Sequence, residues 1–219
     1  MSLDYHGARY HLRRRIAMIT FYLIRHGAKE QIHGDPTLTE VGIKQAEITG
    51  TYLSDKNINL IISSPLKRTL QTASLINERL QVPLSTDTRL TERMNWGDKK
   101  DETFAEFIEE WQKTDSDRNY KPSHVKSSSE NGNGLRSLVD ELSLKNESAT
   151  ILIVTHGGTI GDFLRNEFNE NELELAVNSK FQTRYVDISE CSITIVEKEK
   201  NKYRLKEFGS THHLPTPIT

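Results

Sequence analysis

The chain has 219 residues, about 35% of them hydrophobic, which suffices for one substantial core and points to a single domain with local insertions rather than two domains. Its 29 basic and 31 acidic residues leave a formal charge of −2, so no global field draws it to nucleic acid or an anionic membrane, and any anion binding has to be local. The single cysteine, Cys191, excludes an intrachain disulfide framework and a cysteine-based metal cluster, and it suits a reducing, cytoplasmic setting.

Residues 1–17 are polar and basic and read as a tail or upstream extension, with Met18 an alternative start. Arg13-Arg14-Arg15 ahead of the apolar run Ile16–Ile24 imitates a secretory leader. The run passes straight into Arg25-His26-Gly27 without a small-residue cleavage site, however, and is too short to span a bilayer as a helix. A buried strand from Ile19 to Ile24 accounts for it. The basic cluster Arg9–Arg15 reads as a flexible tail rather than a nucleic-acid contact.

A loop follows to Pro36, and Thr39 then caps a helix over Glu40–Tyr52, with Val41, Ala46, Ile48 and Tyr52 available for an inward face. Asn59–Ile62 is a second short apolar strand. Ser63-Ser64-Pro65 stops it, Ser64 serving as N-cap and Pro65 as the first position of a helix through Arg79. The polar stretch 93–134 reads as a cap or lid insertion, with a weak helix over Phe104–Trp111 and a loop where two Asn-Gly pairs overlap in Glu130–Gly134.

Thr150 opens a third unit, in which the almost wholly apolar Ile151–Val154 suits a strand covered on both faces, and His156-Gly157-Gly158 leads into a helix over Thr159–Phe168. Ser192–Glu197 and Tyr203–Phe208 flank Lys200-Asn201-Lys202 as a hairpin. The expected fold is a three-layer α/β/α arrangement around a mainly parallel sheet, with an antiparallel edge strand, all within residues 18–219. No internal repeat is evident.

Two apolar strands therefore end in His-Gly, at His26-Gly27 and at His156-Gly157-Gly158. In open α/β sheets ligands bind at the carboxyl ends of strands, which makes the histidines a candidate pair in one crevice. Arg25 precedes His26, and Arg68 falls in the first turn of the helix after Ser64-Pro65. Their planar, permanently charged forks match phosphate oxygens. Gly157 and Gly158 let backbone approach an anion at a helix start. A small multivalent anion, phosphate first, fits such a pocket.

The blocks Arg25-His26-Gly27, Asp35-Pro36-Thr37-Leu38-Thr39-Glu40-Val41-Gly42, Ser63–Ala73 and Thr155-His156-Gly157-Gly158, in this order over residues 19–165, resemble the histidine phosphatase superfamily, the phosphoglycerate-mutase-like family. The resemblance implies that His26 attacks phosphorus to form a phosphohistidine and that Arg25, Arg68 and His156 hold the transferring oxygens. No metal or other cofactor is required. It also implies an acid after the Arg68 helix, for which Glu92 is the positional match, Asp87 and Asp98 being the fallbacks. Gly27, Lys29 and Gly157 are the expected substrate-binding positions. The opposed roles of the histidines demand different pKa values, His26 unprotonated at its attacking nitrogen and His156 a cationic donor.

The chain departs from the family pattern in two places. Ala28-Lys29-Glu30-Gln31 lacks the Glu-Thr or Glu-Ser and the downstream Asn of mutase-like members, and Met94-Asn95-Trp96-Gly97-Asp98 replaces the usual aromatic-Gly and Trp-Glu-Gly sequence. Trp96 either lines the pocket or packs beneath it. These departures favour a phosphatase acting on a small phosphorylated substrate over mutase-type phosphotransfer. A non-catalytic phospho-ligand-binding protein is the reading from another class. For Glu92 the alternative is a surface carboxylate paired with Arg89 or Arg93. His6, His11, His33, His124, His212 and His213 show no metal-ligand spacing, His212-His213 reads as a solvated tail, and Cys191 as a small buried residue.

Overall fold

The structure is a computed structural model that describes residues 18–123, 125–146, 148–177 and 188–215. The expected extension 1–17, with His6 and His11, lies outside the described residues, as does His124. Six strands form one sheet: β1 (Met18–Arg25), β2 (Leu60–Ser63), β3 (Leu84–Thr86), β4 (Ala149–Thr155), β5 (Ile193–Glu199) and β6 (Lys202–Ser210), in the order β3-β2-β4-β1-β5-β6. The four strands from β3 to β1 run parallel, and β5 and β6 add an antiparallel hairpin at the edge.

Strand alternation distributes the core between two faces. Ile19, Phe21 and Leu23 of β1 join Ile151 and Ile153 of β4 under helices α4 (Ser128–Lys145) and α5 (Gly157–Glu167). Ile24, Leu152 and Val154 face the other way, onto α1 (Glu40–Leu53) and α2 (Lys67–Leu80). The fold is thus an α/β/α sandwich on a mixed, mostly parallel sheet. Helix α3 (Phe104–Ser116) stands between β3 and α4 in sequence, and α6 (Glu170–Val177) follows α5. Phe21 and Phe163 are fully buried, and truncating either to alanine costs about 3–5 kcal/mol.

Several local expectations need correction. Thr39 caps α1 as anticipated, its hydroxyl accepting from Gly42 N at 3.1 Å, but Val41 is exposed. The buried stripe is Gly42, Gln45, Ala46, Thr49, Gly50 and Leu53, because small residues let α1 close onto α2. Ser64 and Pro65 precede α2 rather than starting it, and Leu66 holds the cap position, where its apolar side chain has no atom to make a capping bond. α5 begins at Gly157, two residues early.

Glu130–Gly134 is helix, not loop, lying in the first turns of α4. A capping box between Ser127 and Glu130 starts that helix. Gly132 is there for close approach: a Cβ on it would lie 2.5 Å from Asp162 O on α5. His212-His213 is not a solvated tail, since His213 Nε2 lies 3.0 Å from Thr49 Oγ1 and its ring stacks on Tyr52 at 5.0 Å. Cys191 is buried, and burial pushes its thiol up to about 12.

Candidate active site

Parallel pairing of β1 with β4 sets Arg25 beside Thr155, so the next residue on each strand, His26 and His156, leaves the sheet at the same edge. The backbone continues the register by one bond, His26 N donating to Thr155 O at 3.0 Å. The two rings meet edge to face with centroids 5.3 Å apart, both buried. On the far side of β4, Ser64 follows β2, and its Oγ lies 2.9 Å from His156 Nε2.

Two contacts define the tautomer of His26. Nδ1 lies 2.8 Å from Gly27 O, and a carbonyl only accepts, so Nδ1 carries the proton. Nε2 therefore keeps a lone pair, and it accepts from Arg68 Nε at 3.2 Å. Burial, then the Arg68 charge, holds the imidazole pKa well below its ordinary value. His156 is pushed down in the same way, first by burial and then by Arg68 and His26. Both histidines are thus shifted in the same direction, first by burial and then by neighbouring positive charge, and not in opposite directions.

Arg68 is buried at the start of α2. Its Nη2 donates to Asn95 Oδ1 at 2.6 Å, and its Nη1 sits 3.6 Å from Asp35 Oδ1. Arg25 is held by the Ile188 carbonyl and by an ion pair with Glu190 at 2.5 Å. Its stem packs by Gly157, whose hypothetical Cβ would sit 3.3 Å from Arg25 Cδ. Lys29 is half-buried, and burial with the Arg68 and Arg25 charges lowers its pKa. The Gly27 amide is engaged by Thr72 Oγ1 at 3.1 Å, so this glycine helps to fix the His26 loop.

Glu92 is brought to the same end of the sheet. Its carboxylate accepts from Arg93 N and Gly158 N, both at 3.1 Å, and from Thr159 Oγ1 at 3.3 Å. A Cβ on Gly158 would fall 2.5 Å from Glu92 Oε1, so glycine is what lets the carboxylate reach the α5 amide. Burial raises the Glu92 pKa against the lowering effect of Arg93. Neither neighbouring guanidinium pairs with it: Arg89 holds Asp87 and Glu141, and Arg93 holds Asp162 and Asp115. The fallback Asp87 is thereby taken, and Asp98 accepts from Asn95 N at 2.7 Å.

Residues the sequence did not single out complete the setting. Asn95 comes from a different segment than the asparagine missing after Gly27, yet it reaches Arg68. Ser64, Glu190 and Thr72 hold His156, Arg25 and Gly27. Lys126 donates to Thr91 Oγ1 at 2.9 Å and adds positive potential near His156. Trp96 packs in the α3 region, its indole donating to Glu102 O at 2.9 Å, whereas Trp111 lies against Arg93 at 3.8 Å and beside Gly158. Among the described residues no group of three or more His, Cys, Asp or Glu side chains is arranged to hold a metal ion, and no helix is long and apolar enough to cross a membrane.

The profile of the histidine phosphatase superfamily (branch 1) matches residues 21–211. Proteins of Yersinia pestis and Yersinia pseudotuberculosis named "Probable phosphoglycerate mutase GpmB" are 28% identical to the chain over 217 residues, spanning 91% of it and 97% of their own length. Bacillus stearothermophilus YhfR superposes with a TM-score of 0.70 at 22% identity, covering 90% of this chain and 100% of that one. The mycobacterial glucosyl-3-phosphoglycerate phosphatase Rv2419c, solved with VO3, does so with a TM-score of 0.68 at 21% identity, covering 88% and 99%. These structural likenesses bear on the fold.

Proposed function

The chain belongs to the histidine phosphatase superfamily, branch 1, and from that premise we propose that it hydrolyses phosphate monoesters through a phosphohistidine on His26, with no metal and with Glu92 as proton donor. The observation that carries this reading is the tautomer of His26, whose Nδ1 is tied to Gly27 O and whose Nε2 lone pair points at the Arg68 guanidinium. A phosphoryl group drawn to Arg68 then meets an unprotonated nitrogen. Phosphoryl transfer has a loose transition state and gains mainly from positioning and charge stabilisation, which buried arginine supplies.

In the first step Nε2 bonds to phosphorus, the ester P–O bond breaks, and the Glu92 proton goes to the leaving oxygen. Water then attacks phosphorus, its proton passes to the Glu92 carboxylate, and the P–N bond breaks to release phosphate. The raised pKa of Glu92 suits a group that has to hold a proton before it gives one. His156 Nδ1 is buried without a hydrogen-bond partner among the described residues, an atom suited to a transferring oxygen. A phosphate dianion beside His156 favours its charged form, so binding itself creates the cationic donor. Arg25, Lys29 and the α5 start at Gly157 furnish further positive potential.

Of the stretch 93–134 read as a cap, α4 takes the part from Ser128 onward, and the remainder is the cap over this site; the small phosphorylated substrate is met in the cytoplasm. The Yersinia relatives carry a mutase name, which favours phosphotransfer between two positions of a phosphoglycerate as the second reading. Turnover of para-nitrophenyl phosphate and a metabolite panel with EDTA, beside interconversion of 2- and 3-phosphoglycerate, separates the two. Phosphate release lost on His26→Ala supports the phosphatase. Interconversion without net phosphate release overturns it.

A further inference from the structure

Beside Arg68 lies a cavity of about 430 Å³, within the range of small-molecule sites. Asn95 forms part of its wall and accepts from Arg68 Nη2 at 2.6 Å, so this one side chain links the cavity to the guanidinium that contacts His26. Its other polar lining includes Asp98, Glu102, Glu110, Lys99, Lys121 and Tyr120.

Within that lining, Glu102 stands apart. It is only 8% exposed, and its carboxylate has no hydrogen bond or ion pair among the described residues. Glu110 takes Lys113 and the Tyr120 hydroxyl, Lys121 takes Glu130, and Asp98 takes the Asn95 amide. Backbone contacts hold Glu102 in place, its N–H on Lys99 O at 3.4 Å and its C=O under the Trp96 indole at 2.9 Å, immediately before Thr103 caps α3. Its carboxylate oxygens stay open to solvent in the cavity, and they only accept hydrogen bonds. The side chain is preorganised for a group that brings donors.

We propose that this cavity receives the alcohol portion of the substrate and that Glu102 selects an uncharged, polyhydroxylated alcohol by accepting hydrogen bonds from its hydroxyls. This rests on the reading of the His26 site as the place of phosphoryl transfer. An alcohol that carries its own carboxylate meets the unpaired Glu102 carboxylate and is repelled. Lys99 is exposed at the rim, where its charge is solvated. A site built to hydrogen-bond substrate hydroxyls discriminates strongly against ligands that cannot supply them. The substrate class is therefore a sugar or polyol monophosphate rather than a phosphoglycerate.

The test is calorimetric affinity of the full-length His26→Ala protein for a hexose monophosphate, 3-phosphoglycerate, ethanolamine phosphate and inorganic phosphate, with and without Glu102→Gln. The hexose monophosphate is expected to bind about tenfold tighter than 3-phosphoglycerate, the equivalent of one charge-assisted hydrogen bond. Glu102→Gln is expected to close most of that gap without moving the affinity for inorganic phosphate. Phosphoglycerate binding as tightly as the sugar ester overturns the proposal, as does a gap unchanged in Glu102→Gln. Ethanolamine phosphate binding tightest also overturns it, by making the cavity a cation site. The affinity order needs no turnover: its failure with hydrolysis intact removes only this assignment, and its success without hydrolysis removes only the phosphatase reading.

Discussion

Arg68 Nε donates to His26 Nε2 at 3.2 Å, so the cation that draws in phosphate sits directly on the nitrogen that has to reach phosphorus. The same guanidinium reaches Asn95 through Nη2 and lies near Asp35 through Nη1. Three nitrogens thus have three addresses, which only a planar fork can meet. Arg68→Lys is predicted to lower kcat/KM about 10²- to 10³-fold, the size of losing one preorganised donor to a developing charge. Steady-state kinetics with para-nitrophenyl phosphate checks it, and a loss under tenfold contradicts the assignment.

Glu92→Gln keeps the shape and the bonds from Gly158 N but removes the transferable proton. With alkyl phosphates, whose leaving oxygen needs that proton, kcat is predicted to fall about 10²- to 10⁴-fold. With para-nitrophenyl phosphate, whose leaving group is stable as an anion, the first step is spared. Burial raises the pKa of Glu92, and the acid form is the active one at the first step. Wild-type kcat/KM for alkyl esters should therefore decline as pH rises through that raised value, and the decline should be missing in Glu92→Gln.

Both site histidines are held well below their ordinary pKa of 6.5, chiefly by burial. In the unfolded chain they take up protons near 6.5, whereas in the folded chain they do so only at lower pH. The stability each contributes is fully present above about 6.5 and is lost as pH falls through its folded pKa, at about 1.4 kcal/mol per pH unit per histidine. His213, lowered to about 4, acts in the same direction. Urea unfolding between pH 7 and 5 should show this slope, and His156→Gln should reduce it by about one histidine's share.

Arg93 is buried among Asp162, Asp115 and Thr114, donating to both oxygens of Asp162 at 3.1 and 2.9 Å and to Thr114 Oγ1 at 3.0 Å. It joins α3 to α5, and its guanidinium lies over the Trp111 ring. Arg93→Met leaves two buried carboxylates without their central partner and is predicted to cost about 3–5 kcal/mol, read from urea denaturation. A cost below 1 kcal/mol means that solvent or Arg165 makes good the loss.

Five of the six strands were legible because their apolar runs are short, β-branched and bounded by turn residues, and the His-Gly ends of β1 and β4 were visible for the same reason; the exposed, three-residue β3 carries no such run. The convergence of His26, His156 and Arg68 followed from placing them at or just after the carboxyl ends of strands, whereas Glu92 came from the family resemblance alone. The start of α4 was misread because Asn-Gly chemistry was weighed above the Ser127-to-Glu130 capping box, and because close helix crossing at Gly132 is a tertiary demand with no local signature. Asn95, Ser64 and Glu190 reach the site through contacts distant in sequence, which no spacing announces. Glu102 became informative only once its burial and its lack of a partner were seen together.

The account stands or falls on the phosphohistidine. Rapid mixing with a phosphate ester, denaturing quench and intact-mass analysis should reveal a covalent phosphate that is acid-labile and stable to alkali. Peptide mapping should place it on His26, and it should be missing from His26→Ala. Turnover without any such adduct, or an adduct on another residue, contradicts the account.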